Sequence, residues 1–204
     1  MSLLDPAEQT KLVSRVRGIL LRPKEEWLVI DKEQTDVATL FRGYVAPLAA
    51  IPPIATFIGT VVFGSSSPIT GVTRMPVGSA LVSAILTYAL SLVSTYILAM
   101  VIDNLAPRYG GTRNMVQAFK VAAYSGTPQW LAGIFGLIPA LSPLTILGIY
   151  GLYLLYLGLP PLMRVAPDRA TNYTITVVVV VILVSIVVAI ITGIIAGLFV
   201  VTTL

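Results

Sequence analysis

The sequence predicts an all-α integral membrane protein: five transmembrane helices preceded by an N-terminal amphipathic, interfacial helical segment. Three observations predict it. Only 11% of the 204 residues are charged and 56% are hydrophobic, whereas an ordinary soluble domain has about a quarter charged residues. So few charges cannot cover a water-facing surface. Several apolar runs reach the roughly 20 residues that a membrane helix needs. The basic residues also collect on one side of those runs, as an oriented bundle requires.

The spans are expected at about Tyr44 to Gly64, Gly78 to Ile102, Ala118 to Ala140, Pro143 to Met163 and Tyr173 to Val201. Residues 1–43 then form a cytoplasmic N-terminal segment and 44–204 the transmembrane domain. The third and fourth spans are separated only by "PALSP", which calls for a tight helical hairpin; a re-entrant pair is the competing reading.

Orientation follows from Lys and Arg. The N-terminal segment holds Lys11, Arg15, Arg17, Arg22, Lys24, Lys32 and Arg42. Arg108, Arg113 and Lys120 lie around the loop after the second span, and Arg164 and Arg169 around the loop after the fourth. With five spans these regions share a side, and Arg74 alone lies opposite. The N-terminus is thus expected in the cytoplasm and the C-terminus beyond a cytoplasmic (inner) membrane. The first thirty residues lack a continuous apolar run, so no cleavable signal peptide is expected.

From Lys11 to Lys24 there are five basic residues and no acid. At about 100° per residue, Leu12, Val13, Val16, Ile19 and Leu20 share one side, with Leu21 the exception. Lys11, Arg15, Arg17, Arg22 and Lys24 are therefore assigned as lipid-facing basic residues of a helix in the headgroup plane. A helix packed on cytoplasmic loops fits the same pattern. Pro23 suits the start of a second helix, with Glu25 and Glu26 at its positive end and Trp27 as an interfacial anchor. The acid-rich stretch from Glu25 to Asp36 reads as solvated surface or as a dock for a basic partner.

"GIYGLYLLYLGLP" places Tyr150, Tyr153 and Tyr156 on one side of a helix, with Gly148, Gly151 and Gly158 near the opposite one. Small residues let membrane helices approach closely, so the glycines are assigned to helix packing. A phenol hydroxyl in hydrocarbon lacks a partner, so the tyrosines should face other helices or a wet cavity. Ser79, Ser83, Thr87, Ser91, Thr95, Ala99 and Asp103 recur at steps of four. That ridge suits close helix crossing or, more sharply, a polar ion path. Gly193 and Gly197 belong to a similar ridge, for packing within the bundle or for a homodimer seam. Prolines interrupt the first span at Pro47, Pro52 and Pro53 and the third at Pro128, beside Thr127. Broken helices free carbonyls that transporters use to hold ions. Asp103 and Lys120 are the ionisable candidates near the membrane interior.

Cys and His are absent, which removes thiolate chemistry, Ser-His and Cys-His catalysis and His- or Cys-ligated metals. Outside the N-terminal segment the only acids are Asp103 and Asp168. No enzyme, cofactor or metal site is expected. The formal net charge of +4 is too small to argue for nucleic acid.

Four segments taken together, "RVRGILLRPKEEWLVI", "LFRGYVAPLAAIPPIATFIG", "KVAAYSGTPQWLAGIFGLIP" and "LGIYGLYLLYLGLPPLMRVAPDRATNY", resemble the prokaryotic branch of the Yip domain family, proteins named for interaction with Ypt/Rab GTPases. The resemblance spans Arg15 to Tyr173. It implies a five-helix membrane domain with a cytoplasmic N-terminus and a non-enzymatic class. The Asp-Leu-Tyr-Gly-Pro-type tract of eukaryotic members has no match here, so neither a Rab partner nor functional residues are carried over. The expected function is a scaffold or adaptor that engages membrane lipids or a peripheral cytoplasmic protein. The alternative is a small transporter or channel for an ion or small solute.

Overall fold

A computed structural model describes the backbone of residues 6–67 and 71–201, with side-chain surroundings for 9–64, 74–183 and 186. Helix α1 (Pro6–Leu21) ends where Pro23 opens α2 (Pro23–Lys32). Proline excludes its predecessor from the helical region, and Arg22 accordingly sits at φ −137°, ψ 56°. The break folds α1 back against α2.

Helix α3 (Val37–Phe63) is capped by Asp36, whose carboxylate accepts the Thr39 N–H at 2.9 Å and the Thr39 hydroxyl at 2.7 Å. Its ladder loosens into π-turns at Phe41–Val45 and Gly59–Phe63. Pro47, Pro52 and Pro53 remove three N–H donors from this helix. The Tyr88 hydroxyl, from the next helix, donates to the Ala46 carbonyl at 3.1 Å. A short antiparallel hairpin, β1 (Ser65–Ser67) and β2 (Gly71–Thr73), leads into α4 (Val77–Leu105). Helix α4 tightens into a 3₁₀ turn over Ala106–Tyr109 and stops at the left-handed Gly110 (φ 77°).

Helix α5 (Met115–Ser125) is capped by Asn114, which accepts the Gln117 N–H at 3.1 Å. The continuous third span expected from the sequence is interrupted: α6 (Thr127–Ala132) starts afresh at Thr127–Pro128, and a 3₁₀ turn follows over Gly133–Leu137. The chain reverses at the extended Ile138 (φ −119°, ψ 111°). It returns as a 3₁₀ stretch, Pro139–Ile149, continuing into α7 (Tyr150–Met163) and then α8 (Pro167–Val201).

Helix α5 is the centre of the bundle. Every side chain from Ala118 to Ser125 is buried, and four of those eight are alanine or serine, which lets α4 and α7 close in on both sides. Helix α2 lies on α7, and α8 packs on α4 and α7. Among the described residues, three helical stretches are long and apolar enough to cross a membrane: Val37–Phe63, Val77–Tyr109 and Pro139–Met163. The expected packing of Gly193 and Gly197 lies outside the residues whose surroundings are described.

Candidate functional site

The N-terminal helices form a cap on one end of the bundle, and the polar groups near them meet there. Trp27 is only 1% exposed and fills a hollow over Gly158, its ring edge-on to Tyr124 at 6.1 Å. It is a core residue and not the interfacial anchor expected. Lys120, also buried, donates to the carbonyls of Ile30 at 2.8 Å and Glu33 at 2.6 Å. A cation there suits the negative C-terminal end of α2. Asp31 accepts the Gln117 amide and pairs with Arg164 at 3.0 Å. The Tyr150 hydroxyl donates to the Leu20 carbonyl at 3.1 Å.

Between cap and bundle lies a cavity of about 580 Å³. Arg15 crosses it, paired with both Glu26 and Glu33, its guanidinium 5.6 Å from the Tyr124 ring centre. Arg15 is therefore turned inward and is not lipid-facing. The reason is geometric: the α1–α2 fold brings a basic side chain of one helix against an acidic face of the other. Lys11, Ser14, Thr35 and Thr39 line the same cavity, with Leu12, Val29, Leu40 and Tyr44 as its apolar part. Beyond it Tyr44 and Thr127 share a buried hydroxyl–hydroxyl bond of 2.7 Å. At the rim, the hydrogen bonds from Thr39 hold the Asp36 carboxyl below its ordinary pKa.

Lys11, Arg17, Arg22 and Lys24 stay exposed, as do Val13, Leu21, Leu28 and Val29, with Leu21 at 77%. The apolar side expected to lie in lipid is mostly turned inward instead. Ile19 is fully buried, and Leu12, Val16 and Leu20 pack against the core.

Glycine positions of α7 and of the 3₁₀ stretch before it meet the neighbouring backbone or ring directly. A Cβ at Gly148 would lie 3.0 Å from the Gln129 Cα, one at Gly151 2.5 Å from the Ser125 carbonyl oxygen, and one at Gly158 2.7 Å from the Trp27 ring. Among the described residues, Tyr150 alone of the three tyrosines hydrogen-bonds to another element; Tyr153 and Tyr156 are 44% and 40% exposed. The inward tyrosine face expected from the spacing does not form, because Leu154, Leu155, Leu159 and Leu162 occupy the inner side of α7. Asp103 is buried and pairs with Arg113 at 3.1 Å, whereas Lys120 bonds to the Ile30 and Glu33 carbonyls, so each of the two has its own partners. Pro128 is buried at the α5–α6 break.

A second cleft, of about 630 Å³, opens between α3, α4 and α6. The ridge residues Thr87, Ser91 and Thr95 line it, joined by Thr56, Ser94, Gln129 and Trp130. Thr95 bonds back to the Ser91 carbonyl at 2.9 Å, and the Trp130 indole donates to the Ser91 hydroxyl at 3.3 Å. Among the described residues, no ionisable side chain lines it.

The sequence reading missed Glu26, Glu33, Tyr124 and Gln129. A signal for the two glutamates was present: a spacing of seven puts them on the same side of α2.

A family model for the Yip1 domain matches residues 17–190. The chain belongs to the Yip1 domain family. That match runs from the exposed side of α1, through the cap and the whole bundle, into α8. The chain is also similar to "Inner membrane protein YohC" of Escherichia coli strain K12 and of strain O6:H1. In both cases it is 27% identical over 166 residues, 79% of this chain and 85% of the relative. No solved structure matches. The matched residues thus contain the cleft between α3, α4 and α6, whereas the cavity under the cap is lined in part by Lys11, Leu12, Ser14 and Arg15, which precede the first matched residue.

Proposed function

We propose that this Yip1 domain is a non-enzymatic membrane scaffold. It spans the inner membrane five times, with its cap in the cytoplasm and its C-terminus opposite. One observation carries the reading. The cap is fastened to the bundle by Trp27, Lys120 and Asp31, while its outer side keeps Val13, Leu21 and Leu28 exposed among Arg17, Arg22 and Lys24. Apolar residues between cations suit contact with the headgroup plane of an anionic leaflet and with a peripheral protein held there. Five spans are supported by the Lys and Arg distribution and by the rise of residues 115–137, which is on the order of 35 Å against a hydrocarbon core of about 30 Å. The inner membrane is supported by the relative's name.

The native chain has no cysteine, so single cysteines at Leu21, Leu28 and Leu147 can carry an environment-sensitive dye. In vesicles with anionic lipid, Leu21 and Leu28 should report a less polar setting than in neutral vesicles, and the shift should vanish in Arg17→Glu/Lys24→Glu. A photo-crosslinker at Val13, exposed on the outer side, should capture a peripheral protein in native membranes. Probes that stay water-like in every vesicle, or capture of nothing, would defeat the proposal.

The hydroxyl-lined cleft favours a second reading, passage of a small uncharged solute. It calls for uptake into liposomes that drops in Ser94→Val/Gln129→Leu, and it fails if no solute of a broad neutral panel moves.

A further inference from the structure

The cavity under the cap is chemically unlike the cap's outer face. It contains two cations, Lys11 and Arg15, and two carboxylates, Glu26 and Glu33, within one hollow of about 580 Å³. Its charges therefore sum to zero. Arg15 is committed to the two glutamates. Lys11 lines the cavity and is exposed, and the Glu33 side chain, 37% exposed, engages Arg15 through one of its two carboxylate oxygens. A simple anion entering here meets two carboxylates, and a simple cation meets two basic groups. A ligand carrying both signs finds a counterpart for each.

Position narrows the ligand further. Leu40, Gly43 and Tyr44 belong to the first turns of α3, which is long and apolar enough to cross a membrane. The cavity thus opens at the level where that helix enters the bilayer, and Leu12, Val29 and Leu40 give it an apolar side. Gly43 and Tyr44 lie in the first π-turn, a distortion often found at functional positions.

We propose that this cavity holds the headgroup of a zwitterionic phospholipid bearing a primary ammonium, as in phosphatidylethanolamine. The phosphodiester meets Lys11, the ammonium donates to Glu33 and Glu26, and the first apolar atoms of the lipid lie along Leu12, Val29 and Leu40. A primary ammonium has N–H donors for the carboxylates; a trimethylated one has none, and a glycerol headgroup has no cation. Discrimination among the three is the mark of this site. It is independent of the anionic-lipid contact assigned to the cap's outer face.

The test uses the full chain purified in a mild detergent and stripped of lipid. Thermal unfolding is followed while short-chain phosphatidylethanolamine, phosphatidylcholine or phosphatidylglycerol is added at equal concentration, with free phosphoethanolamine as a fourth arm. The expected result is stabilisation by the ethanolamine lipid, with half-saturation at least about tenfold lower than for the other two, since one hydrogen bond to a charged group is worth about that or more. Lys11→Ala should weaken the effect about tenfold while leaving unfolding without lipid unchanged; Glu33→Gln, which also takes a partner from Arg15, should weaken it about tenfold measured against its own lipid-free unfolding. If Glu33→Gln itself unfolds, Lys11→Ala decides alone. Equal stabilisation by all three lipids, or an effect untouched by Lys11→Ala, overturns the site. Equal stabilisation by free phosphoethanolamine overturns the lipid as the source of the headgroup.

Discussion

Gly158 and Trp27 offer the sharpest check on how the cap is attached. A Cβ built on Gly158 meets three atoms of the indole ring at 2.7, 2.8 and 2.9 Å, where ordinary contact is 3.4–4 Å. Roughly 0.5 to 1 Å must be found, and the ring has little room, being 1% exposed and wedged against Tyr124. Forcing one extra methyl into such a place costs about 1–3 kcal/mol. Gly158→Ala should therefore lose that much. Trp27→Leu should lose a few kcal/mol on its own, since a large-to-small change of this kind leaves a void. The double variant should be more stable than the sum of the two losses implies, by about 1 kcal/mol or more, because the smaller side chain leaves room for the methyl. Reversible unfolding in mixed micelles reads all four proteins, with Trp130 as the remaining fluorophore when Trp27 is gone. Additive losses, or a Gly158→Ala protein as stable as the parent, would refute the ring-on-glycine seat.

Lys120→Ala should leave the carbonyls of Ile30 and Glu33 without their donor and cost about 1–3 kcal/mol; protease cleavage around residues 33–36 should quicken, and Lys120→Met should not restore protection. Gly151→Ala should destabilise by about 1–3 kcal/mol because its Cβ would press a backbone oxygen at 2.5 Å, whereas Gly78→Ala, with nothing within 4 Å, should be neutral or slightly stabilising in the same unfolding assay. Asp36 has a folded pKa below its ordinary value, so its capping contribution is fully present above the unfolded pKa and is lost as pH falls through the folded one. The Thr39 amide resonance should follow that titration in the acid range and stop moving with pH in Asp36→Asn.

The helix break at Pro128 is written in local chemistry, since a proline lacks a donor wherever it sits. The close approaches at Gly151 and Gly158 arise on α7, and the one at Gly148 arises in the 3₁₀ stretch that leads into it. Basic and acidic runs mislead, because a window along the chain sees only charge of one sign. Arg15 reads as one more cation of a basic helix until the turn at Arg22–Pro23 sets it against Glu26 and Glu33. The acids from Glu25 to Asp36 read as solvated for the same reason, although Glu26 and Glu33 are tied to Arg15 and Asp31 to Arg164. Trp27 is ambiguous at the level of sequence, since an aromatic residue near a membrane suits both an interface and a core. The outward turn of Tyr153 and Tyr156 follows from competition: four leucines of α7 fill the inner side.

The cap's fastening also decides how a truncation must be read. From the sequence alone, removing residues 1–36 should abolish partner recruitment while the five-span core still inserts. The structure places Trp27 and Ile30 among the buried core residues of the bundle. Each buried apolar side chain of this size is worth about 1.5–3 kcal/mol, and the same deletion strands the buried Lys120 ammonium without an acceptor. Removing 1–36 should therefore lower the amount of folded protein in the membrane, measured by resistance to protease and by a single peak in size exclusion. A chain beginning at Arg22 keeps α2, Trp27 and the Lys120 acceptors and should accumulate far better. Loss of recruitment in that longer version, with the bundle intact, assigns the partner contact to α1. A chain lacking 1–36 that folds as well as the parent would show that α2 rests on the bundle without supporting it.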